Sequence, residues 1–349
     1  MVELWFAILC LMLVMFAVLG GWDFGAGALH FIAARNQDER RMLIAAIGPL
    51  WTWNEVWLVA GGGVLFVAFP RVLAISFPAY YLALFLVLWT LILRGIALEV
   101  RGLIDSGLWR AFWDTAFAAA NILLAILFGA AIGNVVRGMP LQADVPLSLP
   151  LFTNFGVRGP LGILDWYTVS VAVFTLVCLC AHGASYLALK AEGEVYRRAK
   201  ALTKWLWPIA VVLLLVVSAE TFYVRPELFT RMADRPLAWI ALLLTAGGTA
   251  AILTGPRAGA EARTFWGGCV FITGLLGSAA ASLFPVILYS TVSGQYSITA
   301  YNGSSDASSL RAASYWWPVA FALSFVYFWF VGKHYRGRAQ TSQYGHDPQ

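Results

Sequence analysis

The sequence predicts an all-α fold, a polytopic transmembrane helical bundle of about nine spans, and three observations predict it. Of 349 residues, 60% are hydrophobic and only 12% charged, against roughly 25% charged in an average soluble protein. The mean hydropathy is +0.75, so the chain has too little polar surface to cover a core in water. The apolar stretches are also long and continuous, where about 20 residues cross the hydrocarbon layer as a helix. They lack the period-two alternation of a membrane barrel, so strands are not expected. This pattern excludes a disordered chain, a collagen, a secreted disulfide scaffold and an ordinary cytosolic enzyme. The net charge of +5 reads as basic loops and not as a nucleic-acid-binding surface.

The first span, 4–30, follows Met1-Val2-Glu3. That start is no basic leader, so the span is expected to be retained. The second, 52–75, opens on Asn54 and Glu55 and carries Gly61, Gly62 and Gly63, which let backbones approach closely. Pro70 and Pro78 suit the turn into the third span, 77–99, whose last turns hold Arg94 and Glu99. The fourth, 111–134, has Asp114 just inside it, and the fifth, 161–189, has His182 near its end. The sixth and seventh, 205–223 and 237–255, are apolar. The eighth, 265–290, contains Pro285, read as a kink. The ninth is 314–332. The connections 135–160 and 291–313 are too short or too polar for a separate soluble unit, so residues 1–349 are expected to form a single integral membrane domain.

Basic residues orient the bundle. Fifteen Lys and Arg fall on one side, seven on the other, and Arg94 lies within a span. The richer side is expected to be cytoplasmic, placing the N-terminus outside and the C-terminus in the cytoplasm. Trp5, Trp51, Trp53, Trp109, Trp113, Trp205, Trp207, Trp316 and Trp317 lie near span ends, where interfacial anchoring is expected. Cys10, Cys178, Cys180 and Cys269 sit in apolar stretches without a CxxC pair and read as small hydrophobes.

A charge at membrane depth is costly and usually faces a partner inside the bundle. Asp23, Asn54, Glu55, Arg94, Glu99, Asp114 and His182 all fall in the half nearer the basic side, while Asp165 and Glu220 come close on the other. Arg94 is expected to pair with Asp23, Glu55 or Asp114. The arrangement is either an ion-pair knot that locks the first four spans or a hydrated inlet for protons or cations. Haem would need His, Met or Cys facing a cavity. Only His30 and His182 are near spans, His334 and His346 lie in the tail, and the six Met are not paired with His. No haem, metal or other cofactor is expected on this chain, and no nucleophile–base pair, zinc motif or phosphate loop appears.

Several stretches, in order and spacing, resemble subunit II of the cytochrome bd-type ubiquinol oxidases, over most of the chain. They include Gly21 to Gly27 with Arg35 to Arg41, Gly48-Pro49, Asn54-Glu55-Val56-Trp57-Leu58 with Gly61 to Gly63, and Ala68-Phe69-Pro70. Arg94 through Glu99 to Arg101, Phe112-Trp113-Asp114, Gly133-Asn134 and Gly138 to Pro140 continue the series. His182 to Leu187 with Gly193-Glu194, Phe284-Pro285, and Ser297 to Asn302 complete it. The resemblance implies a heterodimer in the bacterial cytoplasmic (inner) membrane. Its subunit I would carry haems b and d and the quinol site, and the complex would oxidise quinol and reduce O2 to water without pumping. Subunit II would carry no haem ligand and would contribute polar residues to a cytoplasm-facing proton route to the oxygen-reducing haem. A small accessory membrane subunit and a structural quinone or lipid are compatible with it. In one departure, Thr52 stands where the family often has an Asp of the proton route. Thr hydrogen-bonds but cannot carry charge, so Glu55 or another route must serve.

The residues expected on that route or in a buried polar cluster are therefore Asp23, Thr52, Asn54, Glu55, Arg94, Glu99 and Asp114. The competing reading is a secondary transporter with an intramembrane cation site. It would favour polar groups at the midplane and an internal repeat, and neither is visible.

Overall fold

The computed structural model describes residues 1–142, 147–334 and 337–338; His346 lies outside them. The first helix, α1 (Val2–Ala28), is broken at Leu29 and followed by a single turn, α2 (His30–Ala33). Asn36 caps α3 (Gln37–Ile47), accepting from the Glu39 backbone N–H as an N-cap side chain does. Next come α4 (Trp51–Ala68), α5 (Pro70–Ala79), with Pro70 in its first turn, and α6 (Tyr81–Val100). Ser106 caps the long α7 (Gly107–Arg137), which stops at Gly138, held at φ 94°, a conformation that costs glycine little. A capping box of Asp165 and Thr168 starts α8 (Trp166–Lys190). The chain continues through α9 (Gly193–Val224), α10 (Glu227–Ala233), α11 (Pro236–Ala258) and α12 (Glu261–Leu283). Two short strands, β1 (Val286–Leu288) and β2 (Ile298–Thr299), pair antiparallel. The last elements are α13 (Ala300–Gly303) and α14 (Ala307–His334).

Among the described residues, eight helices are long and apolar enough to cross a membrane: α1, α6, α7, α8, α9, α11, α12 and α14. The expected second span differs. Asn54 and Glu55 dilute α4, which reaches spanning character only jointly with α3, across a bend of 44°. Its far end is also cut short, because Phe69 breaks the helix and α5 begins a new one. The expected eighth span is shorter than 265–290. Pro285, which has no N–H to donate, follows the end of α12. The segment beyond it forms β1, whose partner β2 runs into α13, and the Ala300 N–H reaches Pro285 O at 2.7 Å. The expectation of no strands thus fails locally. The sixth span extends at its basic end, since α9 starts at Gly193, twelve residues before the apolar stretch that marked it.

The core is centred on α1 and α8. Their crossing depends on glycine: a Cβ on Gly25 would lie 1.7 Å from Leu179 O, and one on Gly183 would lie 2.1 Å from Ala26 N. Two of the tryptophans expected at interfaces are packed inside instead. Trp5 is 1% and Trp207 0% exposed, and their indole N–H groups donate to Leu310 O at 3.3 Å and Ser185 Oγ at 2.9 Å. Both tryptophans find acceptors within the bundle, so neither needs the headgroup layer. All four cysteines are free, with Cys178 and Cys269 buried.

Candidate functional site

Four helices bring their polar residues together on Arg94, which is fully buried in α6. Its Nη2 lies 2.6 Å from Asp23 Oδ2 of α1. Its Nη1 donates to Glu55 Oε1 of α4 at 2.5 Å, and its Nε donates to Asn121 Oδ1 of α7 at 2.9 Å. The guanidinium plane is flanked by the rings of Phe24 and Trp51, 4.9 and 5.7 Å from Cζ, a favourable setting for a desolvated cation. Asn54 Nδ2 donates to Asp23 Oδ2 at 3.3 Å. Asn121 is fixed in turn by donating to Phe117 O at 2.7 Å. Asp23, Asn121 and Arg94 are wholly buried, whereas the Glu55 side chain is 22% exposed. Asp23 Oδ1 is buried without a hydrogen-bond partner.

Asp114 is not in this cluster. It lies in a second one nearer the basic end, where Arg101 Nε donates to its Oδ1 at 2.5 Å and Arg101 Nη2 to its Oδ2 at 3.2 Å. Arg40 Nη1 donates to Oδ2 at 3.3 Å, and His30 Nε2 lies 2.8 Å from Oδ1. An ionised carboxylate only accepts, so His30 carries its proton on Nε2. Arg101 also donates to Gln37 Oε1 at 2.7 Å, tying α3 to α6 and α7. The expected pairing of Arg94 with Asp114 fails because Asp114 lies too near the helix end to reach it, and Arg101 stands beside it instead.

The two clusters are layers of one construction. Asp23 and His30, Arg94 and Arg101, and Asn121 and Asp114 are each seven residues apart on the chain. Seven residues return to nearly the same helix face after about two turns, roughly 10 Å along the axis. Each layer therefore takes one residue from each of three segments.

Two expected site residues are exposed, unlike the buried members of the two layers. Thr52 is exposed on α4, whereas Asn54 is buried, and Glu99 is exposed near the end of α6. Sequence reasoning missed Asn121 and left His30, Arg40 and Arg101 outside the polar cluster. A signal was present: a lone Asn within an apolar span, seven residues from a buried Asp. At the opposite end, Arg137 of α7 pairs with Asp165 and donates to Asn134 Oδ1 at 2.6 Å and Gly162 O at 3.0 Å, fastening the connection between α7 and α8.

The buried histidines do not fit haem ligation. His30 Nε2 is engaged with Asp114, and His182 Nε2 lies 3.1 Å from Val18 O. His182 Nδ1 is closed off by Gly268, where a Cβ would come within 2.8 Å of it, and the ring stacks on Phe265 at 5.3 Å. His182 thus has no open face for a macrocycle, and both histidines lie wholly buried in the bundle.

Fold and site together define a helical membrane protein with ionisable groups layered toward one end around buried arginines. A family model for cytochrome bd terminal oxidase subunit II matches residues 1–333, and the chain belongs to that family. Cytochrome bd ubiquinol oxidase subunit 2 of Bacillus subtilis is 30% identical over 312 residues, 89% of each chain. Cytochrome bd-I ubiquinol oxidase subunit 2 of Escherichia coli K12 is 34% identical over 199 residues, 57% of this chain and 51% of that one. The bd oxidase structure from Geobacillus thermodenitrificans shares the fold, with a TM-score of 0.75 at 16% identity over 96% of this chain and 98% of that one. Membership of the family favours an oxidase subunit over the transporter reading.

Proposed function

We propose that this chain is the haem-free subunit of a bd-type quinol oxidase in the bacterial inner membrane, and that the Arg94 cluster lies on its proton route. The partner is subunit I, with haems b and d and the quinol site. The basic end, with Arg35, Arg40, Arg41 and Arg101, faces the cytoplasm, and protons enter from that side.

The observation that carries this reading is the charge balance of the two layers. Around Asp114, one carboxylate meets two guanidinium groups and an imidazole. That layer is saturated with donors and serves as a latch. Around Arg94, two carboxylates share one guanidinium. Opposite charge keeps carboxylates ionised, but one cation cannot fully compensate two anions in a low-dielectric site. The Arg94 layer can therefore take up a proton, and the Asp114 layer has no such need. Glu55, the member of the Arg94 layer that reaches the surface of the chain, is the group through which protons pass toward subunit I.

Glu55→Gln in the assembled complex tests this. Quinol oxidase turnover should fall at least tenfold while haem content per complex stays at the wild-type level. Full turnover with full haem content would remove the Arg94 layer from the proton route.

A further inference from the structure

We infer that the Arg94 layer stores one proton in its resting state, held on Asp23 Oδ1, with Glu55 ionised. The groups that face Asp23 are few. Arg94 on α6 and Asn54 on α4 both address Oδ2. Tyr186 on α8 stacks on Trp22 at 3.7 Å, but its hydroxyl donates away, to Ala46 O at 2.8 Å. His182, also on α8, is turned toward Val18 O. Asn121 on α7 spends its oxygen on Arg94 and its amide on Phe117 O. Oδ1 is left buried with no donor.

A buried ionised oxygen with no donor from the protein is far costlier than a neutral hydroxyl. Two carboxylates sharing one site do not both ionise readily. The excess negative charge is removed when one proton, taken from water, forms an O–H bond at Oδ1. Oδ2 then remains the carbonyl oxygen that accepts from Asn54 and lies against the Arg94 guanidinium. Glu55 is the poorer site for the proton, because its Oε1 accepts the 2.5 Å hydrogen bond from Arg94, whereas Asp23 Oδ1 accepts none. The stored proton has a use only if the proposed route is real, so the test reads storage and turnover separately.

Infrared difference spectra of the assembled oxidase decide it, comparing wild type with each variant in H2O and D2O at matched haem content. Wild type minus Asp23→Asn should show a carboxylic-acid C=O band that moves to lower frequency in D2O. The same band should be lost in Glu55→Gln, because removing that charge lets Asp23 ionise against Arg94. Asp23→Glu should shift the band, and Glu55→Asp should leave its position unchanged. A band unaffected by Asp23→Asn or retained in Glu55→Gln overturns the assignment. So does a band that moves in Glu55→Asp, which would place the proton on Glu55. If the Asp23 variants fail to assemble, as haem content reveals, the two Glu55 variants still decide. Wild-type turnover in Glu55→Gln together with a lost band would leave storage standing and remove the proton route.

Discussion

Arg94 holds three helices by three of its nitrogens, and of the residues it contacts there only Glu55 reaches the surface of the chain. Replacing it with Leu leaves two buried carboxylates without their cation, and breaking such a pair typically costs about 3–5 kcal/mol. Arg94→Leu is expected to lower both haem content and turnover of the complex in membranes; wild-type values for both would show that Arg94 organises nothing. Arg94→Lys keeps the charge but loses the planar fork, so one or two of the three contacts go unmade and rescue should be partial. A different acid–base pair contributes to low-pH behaviour. Arg198 donates to Glu39 at 2.6 and 3.2 Å, and this hydrogen bonding holds the Glu39 carboxyl down at about 2 from an ordinary 4.5. A depressed acid stabilises the fold above its unfolded value and loses that contribution as pH falls through its folded one. The pair's share of thermal stability should therefore decline between pH 4.5 and about 2. Glu39→Gln should flatten the acid side of the Tm-versus-pH curve; an unchanged curve would show that the pair contributes nothing.

Helices α1 and α8 touch backbone to backbone where Gly25 meets Leu179 and Gly183 meets Ala26. Even one methyl group there must push the helices apart, and Asp23, two residues from Gly25, would move with α1. Gly25→Ala is expected to cut the yield of assembled complex severalfold. Gly247→Ala, where a Cβ meets nothing within 4 Å, should match wild type, since Ala favours a helix by about 1 kcal/mol. Equal yields from the two variants would mean that the crossing is not tight. The helices themselves were legible in the sequence, because twenty apolar residues in a row permit little else. Their ends were not. The stop of α12 before Pro285, the break at Phe69 and the extra turns of α9 depend on local backbone chemistry and on polar helix beyond the apolar stretch, which hydropathy does not see.

For the molecule as a whole, the arrangement of charges was legible where hydropathy and ion pairing agree, and blurred where packing decides. Asp23, Glu55 and Arg94 stood out because each is expensive in an apolar span, and the structure brings them together. Asp114 stood out for the same reason, but its partner could not be chosen without knowing that seven residues separate the layers. Thr52 carries no charge and Glu99 lies near a helix end, and the side chains of both are exposed in this chain. The proposed orientation makes a prediction at this scale. A reporter fused after Gln349 should be active in the cytoplasm, and activity on the outer side would reverse the bundle. The closed surroundings of His30 and His182 make another. The chain purified alone should carry no haem, and stoichiometric haem that His182→Ala abolishes would overturn that.

The seven-residue spacing shared by α6, α7 and the α1–α2 segment also bears on how the subunit is checked as it is made. A register slip of one residue in any of the three turns its two polar groups by about 100°, so both layers fail together. A newly inserted chain with such a slip would leave guanidinium and carboxylate groups without partners at two depths at once, two signals of one error. Correct insertion silences both signals in one step. The two layers therefore form or fail as one unit, and the register of three segments is fixed at two depths together.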